Sequence, residues 1–440
     1  MKNKFLILLF ICFIHLNLYS SETLTFSKAY NLALQNSKEI KALDYKLKID
    51  YENIVQARSK RYPELNFYSS YTKDNYKFNN SSINSIKQEV RDYNFVLHQT
   101  IFDKTIDSQI KAEKSKHKSL NAEIDGMKQK IANDILNLYL SLIESKNKIR
   151  KLLVNIKKNQ YAIQLAQEQY NMNLLTKTDV LKIEVELNQA KIDLEKEKFI
   201  YKQNKEKLQI IMGTDINFRV PDLNNILHIV NNTHQLKKVI QSDPKIYSNL
   251  QVKKLIHVIK MYQYQVKTNQ YNHLPKLDLS LTYTKNVDVK NNLSFDSSFD
   301  EDKEIALNLV IPLYKGGYFD SKTKASKLNV KASQEELNDL TNQLEYEYKE
   351  NKNILLWSIK ATHLFENSLS TAITSRDTIK KEYNNGLKSI IDLLEAEYEI
   401  FEIKEKSISN ISTMINAYIS ILILTNSFEN LKVIDLILKD

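Results

Sequence analysis

Apolar residues recur mostly every three, four or seven positions over two very long stretches of the chain, with one step of eleven in the second stretch, which is the spacing of a coiled-coil seam. The first stretch extends from about 105 to 172 and contains one glycine and no proline. At about 1.5 Å per residue, a helix of that length reaches roughly 100 Å. The chain then turns, near 173–178 and again near Gly386, and a shorter helix returns to Gly213 or to Asn426. The seam positions are Ile124, Met127, Ile131, Ile135, Leu138, Leu142, Ile149, Leu152 and Ile156 in the first copy, and Leu337, Leu340, Leu344, Leu355 and Ile359 in the second.

Four shorter stretches alternate apolar and polar residues, which is the period of a strand with one apolar face. Each pair of stretches is separated by a polar loop, at about 74–90 and at about 286–303. Strands of about ten residues with this pattern are typical of tilted membrane strands. The apolar positions are Leu65, Phe67, Tyr71, Tyr93, Phe95, Leu97, Ile101, Leu277, Leu279, Leu281, Tyr283, Ile305, Leu307, Leu309 and Ile311.

The number of strands bears on assembly. Four strands cannot close a barrel, because about eight is the smallest closed number. An open strand edge is prohibitively costly in lipid. Several chains must therefore contribute strands to one barrel, and two chains would supply eight strands while three would supply twelve.

The chain contains two copies of one unit. The segment that begins at Pro63 returns at Pro275, 212 positions later, and Tyr170-Asn171 returns as Tyr383-Asn384, 213 positions later. A register held to one residue over this distance indicates an internal duplication. Each repeat is predicted to be a helix, a strand pair and a long helical hairpin, and the helix of the first repeat is expected over 24–62 and to end at Pro63. The predicted organisation is a signal peptide (1–20), a first repeat (21–213), a connector (214–241), a second repeat (242–426) and a C-terminal tail (427–440).

Composition supports long helices and argues against several other classes of protein. Five glycines and five prolines in 440 residues favour uninterrupted helices, because helix interiors exclude both residues. The net charge of +10 comes from lysines interleaved with glutamates, so we expect solvated helix faces and no nucleic-acid partner. The eight histidines have no metal-ligand spacing and Gly316-Gly317 is a lone pair, so the sequence indicates no enzyme, no cofactor and no metal site.

The N-terminus has the pattern of a secretory signal. Lys2 and Lys4 precede an apolar run (5–14) that is too short to span a bilayer, and cleavage is predicted after Ser20. Cys12 is the one cysteine of the chain, so the mature protein is expected to have no thiol. The rest of the chain has no run of 18 apolar residues, so a membrane crossing would have to use strands.

Two motifs carry a resemblance to a known family. Tyr-x-x-Gly-x-x-x-x-x-Asp-x-Leu occurs at Tyr383, Gly386, Asp392 and Leu394, and Leu-x-x-Pro-Leu-Tyr-Lys-Gly-Gly occupies 309–317. With the duplication and the signal peptide, they resemble the TolC family of outer membrane efflux proteins over nearly all of the mature chain. The resemblance implies an α+β membrane protein that forms a homotrimer. Its twelve-stranded β-barrel, with four strands from each protomer, would lie in the lipid of the outer membrane and continue into a long periplasmic α-helical coiled-coil barrel.

The resemblance also implies a function. The family's channels export small molecules such as drugs and toxic compounds, or proteins, together with a periplasmic adaptor and an inner-membrane transporter of the RND or ABC type. The alternative from another class is a periplasmic coiled-coil adaptor or structural protein with a soluble β-domain. A need for detergent and an oligomeric state would favour the channel over this alternative.

A pore constriction is predicted at Asp392 and Glu395, which are three residues apart and therefore share a helix face. Threefold symmetry would place six carboxylates around one axis, and such a ring would attract cations and repel anions. The alternative is an ordinary solvated helix face.

A gating latch is implied by the resemblance, in which Tyr383 and Lys388 would join Thr178 and Asp179 of a neighbouring coiled coil. A lysine cannot make the planar bidentate contact of an arginine, so we expect a weaker latch than one built on arginine.

The ends of the two hairpins, at Asn173 and Gly386, are implied by the resemblance to be contact zones for the adaptor. Asn173 stands at the position of Gly386 in the other repeat, so we expect the first hairpin end to be stiffer or differently shaped.

Overall fold

The computed structural model describes residues 22–77, 85–221, 236–238, 240, 244–291, 301–427 and 434–435. The predicted signal peptide (1–20), with Cys12, lies outside the described residues, as do most of the connector and most of the tail. The helices are α1 (Phe26–Asn36), α2 (Lys38–Ser59), α3 (Lys104–Asn171), α4 (Lys177–Met212), α5 (Leu250–Tyr271), α6 (Tyr318–Asn384) and α7 (Ile390–Thr425). The strands are β1 (Glu22–Thr23), β2 (Glu64–Lys77), β3 (Ser85–Phe102), β4 (Phe218–Arg219), β5 (Lys276–Asn291) and β6 (Glu301–Val310).

The duplication is visible in the lengths of the helices. The long helices α3 and α6 have 68 and 67 residues, the return helices α4 and α7 both have 36, and α2 and α5 both have 22. The predicted bounds of the first long helix, about 105–172, are confirmed within one residue, and both return helices end within one residue of the predicted Gly213 and Asn426.

The prediction of one continuous helix over 24–62 is wrong, because the chain breaks at Ser37 between α1 and α2. Ser37 has ψ 115°, outside the helical region, and its amide donates to the carbonyl of Ala33 at 2.8 Å. The amide of Ile40 donates to Ser37 Oγ at 3.2 Å, so the serine side chain starts a new helix. Serine competes with the helical backbone in this way, and the apolar period alone does not reveal it.

Strands β2, β3, β5 and β6 form one antiparallel sheet in that order. Its register aligns the predicted apolar positions into rows across the sheet, such as Leu65, Leu97, Leu281 and Ile305. The next row carries aromatic rings, with the centroids of Phe67 and Phe95 4.7 Å apart. On the edge strands, Leu65, Ile305, Leu307 and Leu309 of this face are more than half exposed, whereas the leucines of β5 are half-buried. Among the described residues, β2 and β6 each have one side without a strand partner.

Three of the four strands are longer than the ten residues expected. Strands β2, β3 and β5 have 14, 18 and 16 residues, so the predicted loops at 74–90 and 286–303 are too long at both ends. Polar cross-strand pairs extend the ladder: Glu89 accepts from Lys73 Nζ at 2.6 Å and from the Tyr71 hydroxyl at 2.8 Å. The guanidinium of Arg91 lies 5.8 Å from the centre of the Tyr71 ring. Such pairs stabilise strands without apolar residues, so the hydropathy pattern does not predict them.

The chain divides into two compact units, and each takes part of both repeats. Unit 1 is Met1–Lys41, Asp125–Leu250 and Thr341–Asp440, and unit 2 is Ala42–Ile124 and Gln251–Leu340. Unit 2 contains the four-stranded sheet with α2 and α5. Unit 1 contains α1, the return helices and the two-stranded parallel sheet of β1 and β4.

The core of unit 1 is built on α7. Its fully buried residues include Ile411, Met414, Ile415, Ile419 and Leu422. By length and composition, α7 is the one helix in the described part of the chain that could cross a membrane, and 72% of its most apolar window is buried inside the structure. A mostly buried core helix meets the same criterion, so α7 is the centre of unit 1 and is weak evidence for a span.

The long and return helices of unit 1 contact one another in the order α6, α7, α3, α4. Leu369 and Ile400 pack between α6 and α7, Lys151 pairs with Glu405 between α3 and α7, and Lys148 pairs with a buried carboxylate of α4. Helices α6 and α4 therefore stand at the two ends of this order.

Both return helices end in a left-handed residue, Gly213 with φ 64° and Asn426 with φ 50°. Beside each of these ends lies an asparagine from the matching position of its repeat, which donates to the last carbonyls of the helix. Asn36 Nδ2 lies 2.8 Å from the carbonyl oxygen of Met212, and Asn249 Nδ2 lies 3.3 Å from that of Ile423. These amides provide additional donors to the last-turn carbonyls, which a helix end leaves without their usual i→i+4 partners.

Candidate functional site

The two hairpin turns, at 172–176 and 385–389, have the same backbone geometry. Asn173 has φ 60° and Gly386 has φ 76°, both left-handed. One residue later, the amide of Leu174 donates to the carbonyl of Gln169 at 2.8 Å, and that of Leu387 donates to the carbonyl of Glu382 at 2.9 Å. This is the Schellman arrangement of a helix C-terminus. The expected difference in shape between the two ends is therefore not observed, because asparagine tolerates the left-handed conformation that glycine adopts freely.

Each return helix starts with a capping box formed by a hydroxyl residue and an aspartate three positions later. Asp392 Oδ2 accepts from the amide of Ser389 at 2.9 Å and from its hydroxyl at 2.8 Å. Asp179 Oδ2 makes the same two bonds with Thr176, at 3.2 and 2.7 Å. These bonds hold the pKa of both aspartates below its usual range, the backbone amide of Ser389 first for Asp392 and the Thr176 hydroxyl first for Asp179. Both aspartates therefore stay ionised, and both orient the first turn of their helix.

Glu395 differs from Asp392 because its charge is paired within the chain. Lys158 Nζ of α3 lies 2.7 Å from Glu395 Oε2 and 4.9 Å from the centre of the Tyr398 ring. The glutamate side chain remains 58% exposed. Lys158 therefore offsets part of the negative charge that Glu395 would contribute to the predicted carboxylate ring.

The predicted latch residues do not meet within one chain. Among the residues described, Tyr383 and Lys388 make no hydrogen bond or ion pair with Thr178 or Asp179. Lys388 lies near Asp392 and contributes to the lowering of its pKa. A latch between these groups would therefore have to join two copies of the chain.

A partly buried charged cluster in unit 1 was not predicted from the sequence. It surrounds a cavity of about 310 Å³ between α3, α4 and α7. Lys148 Nζ lies 3.0 Å from Glu197 Oε2, and the Glu197 side chain is 7% exposed. Burial raises the pKa of Glu144 in the same cavity, and the charges of Glu197 and Glu405 raise it further, against the lowering effect of the nearby Ser412 hydroxyl. In the sequence these residues appear as lysines interleaved with glutamates, the pattern that predicts solvated helix faces.

The described residues contain no group of three or more His, Cys, Asp or Glu side chains arranged to hold a metal ion.

Comparison with known proteins gives consistent matches. The sequence model of the family "Outer membrane efflux protein" matches residues 29–214 and 246–422. The outer membrane protein TolC of Salmonella enteritidis is 26% identical over 147 residues, which cover 32% of this chain and 30% of TolC. The proteases secretion protein PrtF of Dickeya chrysanthemi is 20% identical over 400 residues, which cover 88% of this chain and 85% of PrtF.

Among solved structures, the Campylobacter jejuni CmeC outer membrane channel superposes with a TM-score of 0.71 at 14% identity. The superposition covers 94% of this chain and 89% of CmeC, so the fold is that of the outer membrane efflux channels. Because the family model matches both repeats over most of their length, the chain belongs to the outer membrane efflux protein family.

Proposed function

We propose that this chain is the outer membrane channel of an export system and that it acts as a homotrimer without catalytic activity. The observation that carries the proposal is the four-stranded sheet, whose apolar face is exposed along its edge strands and whose two edges have no strand partner among the described residues. A contiguous exposed apolar face marks a surface that contacts lipid or protein. Open edges are excluded from lipid unless other strands cover them, so strands from further copies must complete the sheet.

Three copies would supply twelve strands, the number that the family resemblance implies. The helix order of unit 1 supports association of the same kind. Helices α4 and α6, at the two ends of that order, each expose large apolar side chains, which include Val185, Ile192, Phe199, Trp357 and Leu364. One end of a copy could therefore meet the other end of the next copy, and such head-to-tail contacts form a ring when the rotation between successive copies closes.

The partners that we propose are a periplasmic adaptor at the hairpin turns and an inner-membrane transporter of the RND or ABC type. The exposed apolar residues Met172, Leu174 and Leu387 at the turns support a protein contact there. Two cargo classes stand side by side. The match to the outer membrane efflux protein family favours small molecules, and the match to a proteases secretion protein along most of the chain favours proteins.

The pore constriction remains our proposal for Asp392, and the structure supports it more for Asp392 than for Glu395. The two bonds from Ser389 keep Asp392 ionised, whereas Lys158 offsets Glu395. A ring of Asp392 from three copies would prefer cations.

Planar-bilayer recording of the purified, detergent-solubilised protein across a salt gradient tests the proposal. We expect discrete current steps with cation preference, a weaker preference in Asp392→Asn, and little change in Glu395→Gln. Ser389→Ala is the matched control, because it breaks the capping box and keeps the charge. A folded protein that is monomeric and soluble without detergent would refute the channel and favour the periplasmic adaptor.

A further inference from the structure

The internal duplication allows a contact seen inside the chain to be transferred to a contact between copies. Helix α7 packs on α3, so the return helix of the second repeat contacts the long helix of the first. The equivalent contact would place α4, the return helix of the first repeat, on α6, the long helix of the second. Within one chain these two helices stand at opposite ends of the contact order and remain exposed, so a second copy must supply the partner.

The transfer is possible residue by residue, because equivalent positions in the helices of unit 1 are 213 apart. Burial follows this register on the face of each return helix that packs against the long helix of its own repeat. Leu187 and Ile400 are both 7% exposed, and Glu197 and Asn410 are 5% and 6% exposed. The register therefore holds at the level of packing as well as in the sequence.

The other face of the return helices behaves differently in the two repeats. Leu394 of α7 is 7% exposed, whereas its equivalent on α4, Leu181, is 48% exposed. The same residue type at the same position is thus buried in one repeat and open in the other. This is the difference expected if α4 lacks, in a single chain, the neighbour that α7 already has.

Two pairs define the transferred contact. Lys151 and Glu405 form an ion pair between α3 and α7, and their equivalents are Leu364 and Ile192, which are 67% and 61% exposed.

Two helical turns further along α3 and α7, Glu144 lies next to Ser412. Their equivalents are Trp357 and Phe199, which are 61% and 59% exposed. Each polar pair inside the chain thus corresponds to two large apolar side chains that are open in a single copy.

We propose that α4 of one copy docks on α6 of the next with Ile192 against Leu364 and Phe199 against Trp357, in the geometry of the α7–α3 contact. This rests on the proposed function only in that copies of the chain associate. The chemistry fits, because interfaces between permanently associated copies are more apolar than contacts at the surface, and tryptophan is a frequent anchor of such interfaces. The contact is head-to-tail, so each residue meets a different residue and never its own copy.

Cysteine cross-linking tests the pairing in the full-length protein in outer membrane vesicles. Cys12 is the one native cysteine, so Cys12→Ser gives a clean background. We expect Ile192→Cys/Leu364→Cys to form covalent dimers and trimers with an oxidant or a short bis-maleimide. Each single variant should form none, and co-expression of the two singles should form dimers.

Ile192→Cys/Tyr346→Cys is the matched control, because Tyr346 is also exposed on α6 but lies about 27 Å along the helix from Leu364. This control should remain uncross-linked. Cross-linking of the control, or of Ile192→Cys alone, would overturn the proposed register.

A charge transplant provides a second test that depends on energy rather than reactivity. Leu364→Lys and Ile192→Glu should each lower the trimer fraction on dilution in detergent by about tenfold or more, as expected for an interface anchor. The double variant recreates the Lys151–Glu405 ion pair between copies, so it should recover most of the loss. Leu364→Lys/Ile192→Lys is the control and should be worse than either single variant.

The outcomes separate this inference from the proposed function. A trimer that conducts ions but shows neither the cross-link nor the recovery would overturn the residue pairing and leave the channel standing. A protein that neither associates nor conducts would overturn both.

Discussion

Among the glycines with a left-handed backbone, Gly213 is the position where substitution by alanine should destabilise the protein most. The left-handed conformation itself costs about 1–2 kcal/mol once a Cβ is present. A Cβ at residue 213 would lie 2.6 Å from Asn36 Cβ, so Asn36 must move. That movement costs about 1 kcal/mol as overpacking, and the lost bond from Asn36 to Met212 costs about 1 kcal/mol more.

The expected total is about 3–4 kcal/mol. The unfolding entropy is about 2.1 cal/mol/K per residue. Over 440 residues, a loss of 1 kcal/mol in the free energy of unfolding therefore lowers the unfolding midpoint by roughly 1 °C. Gly213→Ala should therefore lower the midpoint of thermal unfolding by roughly 3–4 °C. Far-UV circular dichroism of the detergent-solubilised protein measures this midpoint through the loss of helix.

Gly386→Ala is the matched control. Gly386 has φ +76°, and a Cβ there would meet nothing within 4 Å, so only the backbone cost of about 1–2 kcal/mol applies. Asn36→Gly/Gly213→Ala should lose less than the sum of its two single variants, because the Cβ that causes the clash is gone. Equal shifts for Gly213→Ala and Gly386→Ala would refute the role of Asn36.

Three further predictions concern the charged groups. Glu144 has a raised pKa in the folded chain, so ionising it lowers the stability above that raised pKa and has no effect below the pKa of the unfolded chain. Glu144→Gln should therefore raise the unfolding midpoint at about pH 7 and leave it unchanged near pH 4. Lys148→Met leaves the buried Glu197 unpaired and should lower the free energy of unfolding by about 2 kcal/mol, less than for a fully buried pair because Lys148 is half-exposed. Lys148→Met/Glu197→Leu should recover most of this loss in the same unfolding assay. Tyr383→Phe/Lys388→Ser should raise the single-channel conductance in a planar bilayer; a conductance equal to that of the unaltered protein would remove the proposed latch.

The sequence was most informative where a pattern is long and repeated. The seams of α3 and α6 extend over many turns, and the left-handed ends at Gly213 and Asn426 are marked by the two residue types that tolerate that conformation. The alternation in the strands predicted the rows of the sheet correctly, because a shift of one residue would turn every side chain to the other face.

The sequence was less informative where a single polar side chain decides the structure. The break at Ser37 depends on one hydroxyl, and the extension of β3 depends on ion pairs that hydropathy does not register. The capping boxes at Asp179 and Asp392 have a readable sequence signal, a threonine or serine three residues before each aspartate. The burial of Glu197 was out of reach, because its partner lies 49 positions earlier in the sequence.

The length of β3 has a consequence at the cell surface. Its 18 residues extend about 60 Å at about 3.4 Å per residue, whereas about 9–11 tilted residues cross a bilayer. In a membrane, the loop-side part of β2 and β3 would therefore stand above the lipid as a stiff ribbon held by Glu89, Lys73 and Tyr71. An antibody raised against the folded protein would meet a conformational epitope shared by two strands, and a linear peptide from either strand would fail to compete for it.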